Sequence, residues 1–141
     1  MIKTVIHERY EVLKNLELFK ATFEQTRVKT FIIQLNHARL QARGTDINGN
    51  VIGRYSVNTE ILSGGEKRAG EPYNLKDTGE FYKSWIVKVG NDSLTIDADG
   101  QKEFIDWGAD EIGAVGLDES NFKSLYLFVI PLLIRNFKDV L

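Results

Sequence analysis

Asp77-Thr78-Gly79 is the triplet through which half-size aspartic protease subunits, paired as homodimers, bring two carboxylates around one shared proton. That chemistry wants a small residue after the triplet, in a loop between apolar strands. Here Leu75-Lys76 precedes it and the bulky, charged Glu80-Phe81-Tyr82 follows. The same residues fit a capping box: Asp77 can accept from the orphan N–H groups of a helix start, while Glu80 reaches back to the N–H of the cap residue. A short helix is therefore expected to begin just after Asp77. A homodimeric aspartic protease using Asp77 is the enzymatic alternative.

Other reactive groups are sparse. Asp46-Ile47-Asn48-Gly49-Asn50 opens like a calcium loop, with oxygen ligands at alternate positions, but such a loop needs glycine sixth and glutamate twelfth. Val51 and Val57 stand there, so the stretch reads as a turn. His7 and His37 are the only histidines and lack the spaced carboxylate of an H-E-x-x-H site, so both read as surface or helix-face residues. With no cysteine, disulfides, thiolate metal sites and cysteine nucleophiles are excluded. Gly64-Gly65 lacks the Lys-Ser/Thr of a phosphate loop, and Asn91-Asp92-Ser93 is a glycosylation sequon only in a secreted chain. No catalytic residue, metal ligand or cofactor is expected, and the chain reads as a non-enzyme.

Binding chemistry is better represented. Arg54, Lys67, Arg68 and Lys76 make a locally basic loop beside Tyr55 and Tyr73. Such a loop can touch phosphate. With 18 basic against 20 acidic residues, a formal charge of −2, the chain has no global attraction to nucleic acid or anionic lipid. A solvated loop, or one that pairs with acidic residues of a protein neighbour, is the expected role. The candidate interface residues are Arg54, Tyr55, Lys67, Arg68 and Tyr73.

The elements that must position these groups follow from patterning. A chain of 141 residues with 43% apolar content fits one domain, 1–141, that buries about two-thirds of its unfolded surface. Residues 1–43 read as one long or two consecutive helices, because Tyr10, Leu13, Leu16, Phe19, Phe23, Phe31 and Leu35 recur at roughly helical spacing. A break is expected near Gln25 to Arg27, and Val28 to Leu35 is rich enough in β-branched and aromatic residues to compete as a strand. Residues 44–74 read as a turn and a long loop, in which Ser63 to Gly70 has little to bury and is expected to order against a partner.

Residues 75–117 read as a short helix, a hairpin at about 85–97 and an aromatic turn. Leu94 and Ile96 alternate with polar residues, which gives the hairpin one buried face. A second short helix is expected to carry Phe104, Ile105 and Trp107 to Gly108. In 118–141, Asp118 caps a last helix from Glu119 to about Lys138 that is apolar all the way round between Leu125 and Ile134, with Pro131 expected to kink or restart it. That run is shorter than the ~20 apolar residues a membrane span needs. The fold class expected is α+β, with N-terminal helices and a C-terminal helix packed on a small antiparallel sheet. Met1 to Arg9 shows no apolar h-region, and the absence of cysteine points to assembly in a cytoplasm.

The order Leu75-x-Asp77-Thr78-Gly79-x-Phe81-x-x-Ser84, then a hairpin, then an aromatic turn ending in Trp107-Gly108, resembles small tailed-phage virion morphogenesis proteins of the head-to-tail joining or tail-completion type. Gly44 to Ser56, with Asp46, Gly49, Ile52, Tyr55 and Ser56, is similar to a segment of some phage structural proteins. The resemblance covers roughly Gly44 to Leu117. It makes Asp77, Thr78, Gly79, Glu80, Ser84, Trp107 and Gly108 a structural motif. It implies a non-enzymatic subunit of a homo-oligomeric ring in the phage neck, head-tail connector or tail-completion layer, located in the virion and assembled in the host cytoplasm. Its implied partners are further copies of itself, a portal-side adaptor and the tail tube, with any DNA contact in the ring lumen independent of sequence and no membrane. A bacterial protein-interaction module, such as an antitoxin or adaptor, is the second alternative.

Overall fold

Gln25, extended at φ −61° and ψ 130°, ends one helix and starts the next. The computed structural model describes residues 15, 17–76, 79–91, 93–99, 101–102, 105–106 and 113–140. In chain order these form α1 (helical over 17–23), α2 (Thr26–Arg43), α3 (Val57–Leu62), α4 (Glu80–Lys83), β1 (Ile86–Val89), β2 (Leu94–Asp97), β3 (Gln101–Lys102), β4 (Ile105–Asp106) and α5 (Glu119–Val140). The architecture is mixed α+β, with helices flanking a small antiparallel hairpin sheet, as the patterning predicts.

The break between α1 and α2 falls at Glu24-Gln25, at the edge of the expected window. The Gln25 carbonyl accepts from the N–H groups of Val28 (3.0 Å) and Lys29 (3.2 Å), so backbone alone starts α2. The β-rich run Val28 to Leu35 is helical. Val28 and Ile32, one turn apart, are both fully buried, and that packing outweighs their strand preference. Phe31 and Leu35 are only partly buried beside this stripe. At its other end α2 stops at Gly44, left-handed at φ 58°, whose N–H caps the carbonyls of Arg39 and Leu40.

β1 and β2 pair antiparallel, with Val87 opposite Ile96 and Val89 opposite Leu94. Those four side chains share one face, and Val87 is buried in it. Val28 and Ile32 of α2, Val87 of β1, and Leu125, Val129 and Leu132 of α5 form the main core. A second cluster joins Leu40, Trp85, Ala98 and Ala114. α5 starts where expected, since Asp118 Oδ1 accepts from the Asn121 N–H at 2.7 Å. The helix continues through Pro131 without restarting, and Pro131 lies on its exposed side.

Three expectations are corrected. The helix predicted to begin after Asp77 begins at Glu80, with Gly79 in the cap position at φ 88°; Glu80 is thus the first helical residue and cannot be the third residue of a capping box. Asp77 and Thr78 themselves lie outside the described residues. The helix expected around Ile105 is a tight hairpin, Gln101 opposite Asp106 and Lys102 opposite Ile105. So short a helix would leave its backbone groups unpaired, whereas the hairpin pairs them across the turn. Phe104, Trp107 and Gly108 are outside the described residues, as is His7. Finally, 44–74 is not a simple loop, because α3 interrupts it.

Candidate protein-interaction surface

The excursion that follows α2 is built from side chains that hold their own backbone. Asp46 Oδ1 accepts from the N–H groups of Asn48 and Asn50, both at 2.9 Å, and closes the turn bridged by Thr45 and Val51. The amide-rich run is thus an Asx turn. Two arms then run side by side: Tyr73 N–H donates to the Gly53 carbonyl (2.8 Å), Tyr55 N–H to Glu71 (3.0 Å) and Gly70 N–H to Tyr55 (2.9 Å). Between them Ser56 caps α3 by accepting from the Thr59 N–H.

Ser63 to Gly70, expected to await a partner, is ordered by this chain alone. Lys67 N–H donates to Ser63 Oγ at 3.0 Å, and Ala69 N–H donates to Glu60 Oε2 at 2.8 Å. Arg54 donates a further bond to the Gly70 carbonyl at 2.7 Å. A segment with little to bury is held here by polar bonds to its flanks.

Three of the five predicted interface residues meet. The Tyr55 and Tyr73 rings lie 4.9 Å apart, and Lys67 Nζ sits 5.7 Å from the Tyr55 ring centre, within cation–π range. The Tyr55 hydroxyl donates to Asn74 Oδ1 and accepts from the Asn74 N–H. Arg54 braces the same arms, while Arg68 stands exposed on the loop. Arg54 and Lys67 therefore serve the loop's own architecture. Ser84 Oγ likewise ties up nearby backbone, donating to the Phe81 carbonyl and accepting from the Asp99 N–H.

Reasoning from sequence missed the apolar part of this surface. Val57, Ile61 and Leu62 of α3 all point outward, Leu62 with 88% of its surface exposed. Ser56 ahead of an i, i+4 apolar pair is the signal that could have revealed it. It also missed Arg39, almost fully buried, whose guanidinium donates to the carbonyls of Thr45 and Ala114 and to Asn36 Oδ1. Burial draws that guanidinium below its usual range, and Asp118 acts against the shift.

His37 is the one described histidine. Its ring packs edge-on to Tyr82 (4.7 Å) and Trp85 (5.4 Å), and burial holds its pKa below the ordinary value. Burial moves the Tyr82 hydroxyl the opposite way, far up, while it donates to the Asn74 carbonyl. Among the described residues neither group has a carboxylate positioned to work with it in proton transfer. Among those same residues no three His, Cys, Asp or Glu side chains gather as metal ligands, and no helix is long and apolar enough to cross a membrane.

A second surface lies along α5. Its inner face packs on α2 and β1, yet Phe122, Tyr126, Leu127, Ile134 and Phe137 are exposed. Between α1 and this outer face run two apolar grooves, one of about 290 Å³ beside Phe23 and Tyr126 and one of about 490 Å³ beside Leu18 and Phe137. The fold thus defines an α+β chain with two exposed apolar faces among the described residues. No protein-family model matches the sequence, and no curated protein or solved structure is significantly similar to it.

Proposed function

We propose that this chain is a non-enzymatic structural subunit of a tailed-phage head-to-tail connector, neck or tail-completion ring. The reading rests on the residue resemblance over Gly44 to Leu117. One structural observation carries it further: α3 is a rigid apolar knob, with Leu62 88% exposed, on an excursion locked by its own hydrogen bonds. A subunit of a closed ring meets its neighbour through two different patches, head to tail. A preformed protrusion with uncovered aliphatic side chains suits one of them, because its shape is set before the neighbour arrives and little ordering entropy opposes docking. Its occupants are the next copy and the portal-side or tail-tube neighbours.

Leu62→Glu and Ile61→Glu test this. Both side chains are exposed, so the fold is retained while a charge enters the contact. Native mass spectrometry and negative-stain microscopy of the purified chain, alone and with its portal-side neighbour, should show closed rings for the unaltered protein and their loss in both variants. Absence of any ring in the unaltered protein under both conditions overturns the proposal.

A further inference from the structure

We infer that Asn48 is a site of spontaneous deamidation, at which closure of a succinimide on the Gly49 nitrogen and its hydrolysis loosen the turn that roots the excursion. This goes beyond the ring proposal and does not depend on it.

Asn48-Gly49 is the one Asn-Gly step in the sequence. Glycine matters there because the next residue's nitrogen is the nucleophile, and a side chain on that residue would crowd its approach to the carboxamide carbon. Asn48 and Gly49 are both exposed. Gly49 is left-handed at φ 84°, and nothing beyond its chain neighbours lies within 4 Å of where a Cβ would stand, so the ring closes into open space. Asn48 donates its main-chain N–H to Asp46 Oδ1 at 2.9 Å, but among the described residues its carboxamide has no partner and is free to turn toward Gly49. The Gly49 N–H is held by the Asp46 carbonyl at 3.1 Å. Releasing one neutral hydrogen bond slows the step by about tenfold, which leaves the site reactive. Asn50, also exposed, is followed by β-branched Val51 and is the slow comparison within the same turn.

The step needs water alone. Water takes the Gly49 amide proton, the nitrogen bonds to Asn48 Cγ, the Cγ–Nδ2 bond breaks, and Nδ2 leaves as ammonia with a proton returned by water. A second water opens the ring: addition at Cγ gives aspartate, addition at the main-chain carbonyl carbon gives isoaspartate, and the nitrogen released from that carbon regains its proton. Isoaspartate threads the main chain through Cβ and Cγ. The extra atom enters a turn whose bonds span that point: Asn50 N–H to Asp46 Oδ1 at 2.9 Å, Asp46 N–H to the Asn50 carbonyl at 2.8 Å, and the Thr45–Val51 bridge. The excursion leaves α2 through this turn, which Ile47 N–H also ties to the Gly113 carbonyl at 3.0 Å. Modification therefore loosens the base of the excursion irreversibly as the protein ages.

Trypsin releases residues 44–54 as one peptide that carries both asparagines. After incubation of the folded chain in mildly alkaline buffer, this peptide should gain about 1 Da, assigned by fragmentation to position 48 with isoaspartate present. The rate should lie within about tenfold of that in the urea-unfolded chain. Position 50 should convert at least tenfold more slowly than position 48. Amide exchange at Asp46 and Asn50 should be about tenfold faster in the aged protein than in the fresh one. Asn48→Gln, exposed and therefore folded, closes a less favourable ring and should show neither change. A folded chain wholly intact at position 48 after the unfolded one has converted, equal conversion at position 50, or aged protein rich in isoaspartate with unchanged exchange would overturn the inference. Ring assembly reads the α3 surface and the mass shift reads the turn, so either conclusion can fail alone.

Discussion

Arg39, buried on the inner side of α2, donates to the main-chain carbonyl of Ala114, 75 residues further along the chain. The same guanidinium reaches the Thr45 carbonyl and Asn36 Oδ1, and Asn36 in turn accepts from the Gly116 N–H at 3.1 Å. One cation thus ties the end of α2 to both the excursion and the approach to α5. Replacing it by Met leaves buried acceptors without donors, each costing ~1–3 kcal/mol. Arg39→Met is expected to lose about 3 kcal/mol in urea unfolding, and Arg39→Lys most of that, because one ammonium cannot reproduce the planar fork.

Asp118 does two things that can be separated. It caps α5 at the Asn121 N–H, and its other oxygen pairs with Arg43 at 3.1 Å. Arg43 is about half exposed, so the ion pair is screened and contributes well under 1 kcal/mol. Asp118→Ala is expected to lose about 1–2 kcal/mol of stability, whereas Asp118→Asn, which retains a cap, should lose only a few tenths. Thermal unfolding of the two variants side by side measures the difference.

Burial of His37 sets a pH dependence. Its folded pKa lies below the ordinary 6.5, so below that pH the unfolded chain binds a proton that the folded chain resists. Stability is full above pH 6.5 and declines as pH falls from there through the depressed folded value. His37→Gln should flatten this part of the pH–stability curve measured by denaturant titration, and proton NMR of the His37 ring should titrate below the unfolded value. A His37 resonance titrating above 6.5 would refute the burial argument.

Gly53 allows Tyr73 to close over the excursion, because a Cβ at position 53 would overlap the Tyr73 ring. Gly53→Ala is expected to displace that ring, open the Tyr55–Tyr73 contact and cost about 1–3 kcal/mol. Hydrogen exchange should rise at the Tyr55, Gly70 and Tyr73 amides, which bridge the two arms, and stay unchanged in α5.

Pro131 denies the Leu127 carbonyl its helical donor, on the exposed side of α5. Pro131→Ala restores that bond at a position where the backbone is already helical, and is expected to stabilise the chain by about 1–3 kcal/mol. A rise in thermal midpoint checks it.

Features whose cause is local were legible in the sequence. The alternation of Leu94 and Ile96 against polar neighbours gives the hairpin and its inner face, and Asp118 directly before a helix-forming run gives the start of α5. The all-round apolar run between Leu125 and Ile134 is a helix with Leu125, Val129 and Leu132 buried and Tyr126, Leu127 and Ile134 exposed among the described residues. Arg39 was not legible, because an arginine on a helix reads as solvated until Ala114 and Gly116 are brought to it; only Asn36, polar in line with Val28, Ile32 and Leu40, hints that this stripe carries hydrogen bonds. Tyr55, Lys67 and Tyr73 were recognised by type, but their clustering depends on the 53–55 and 70–73 arms meeting, which no short pattern encodes.

Asn136 Nδ2 donates to Thr22 Oγ1 at 2.8 Å, joining positions 114 apart, and Val28 and Ile32 are covered by Leu125, Val129 and Leu132. A nascent chain that has not yet reached α5 therefore lacks the Leu125, Val129 and Leu132 side of this core, and α2 has only the hairpin to pack on. Closure of the core waits for α5 to leave the ribosome, and until then that face of α2 is exposed to chaperones and proteases.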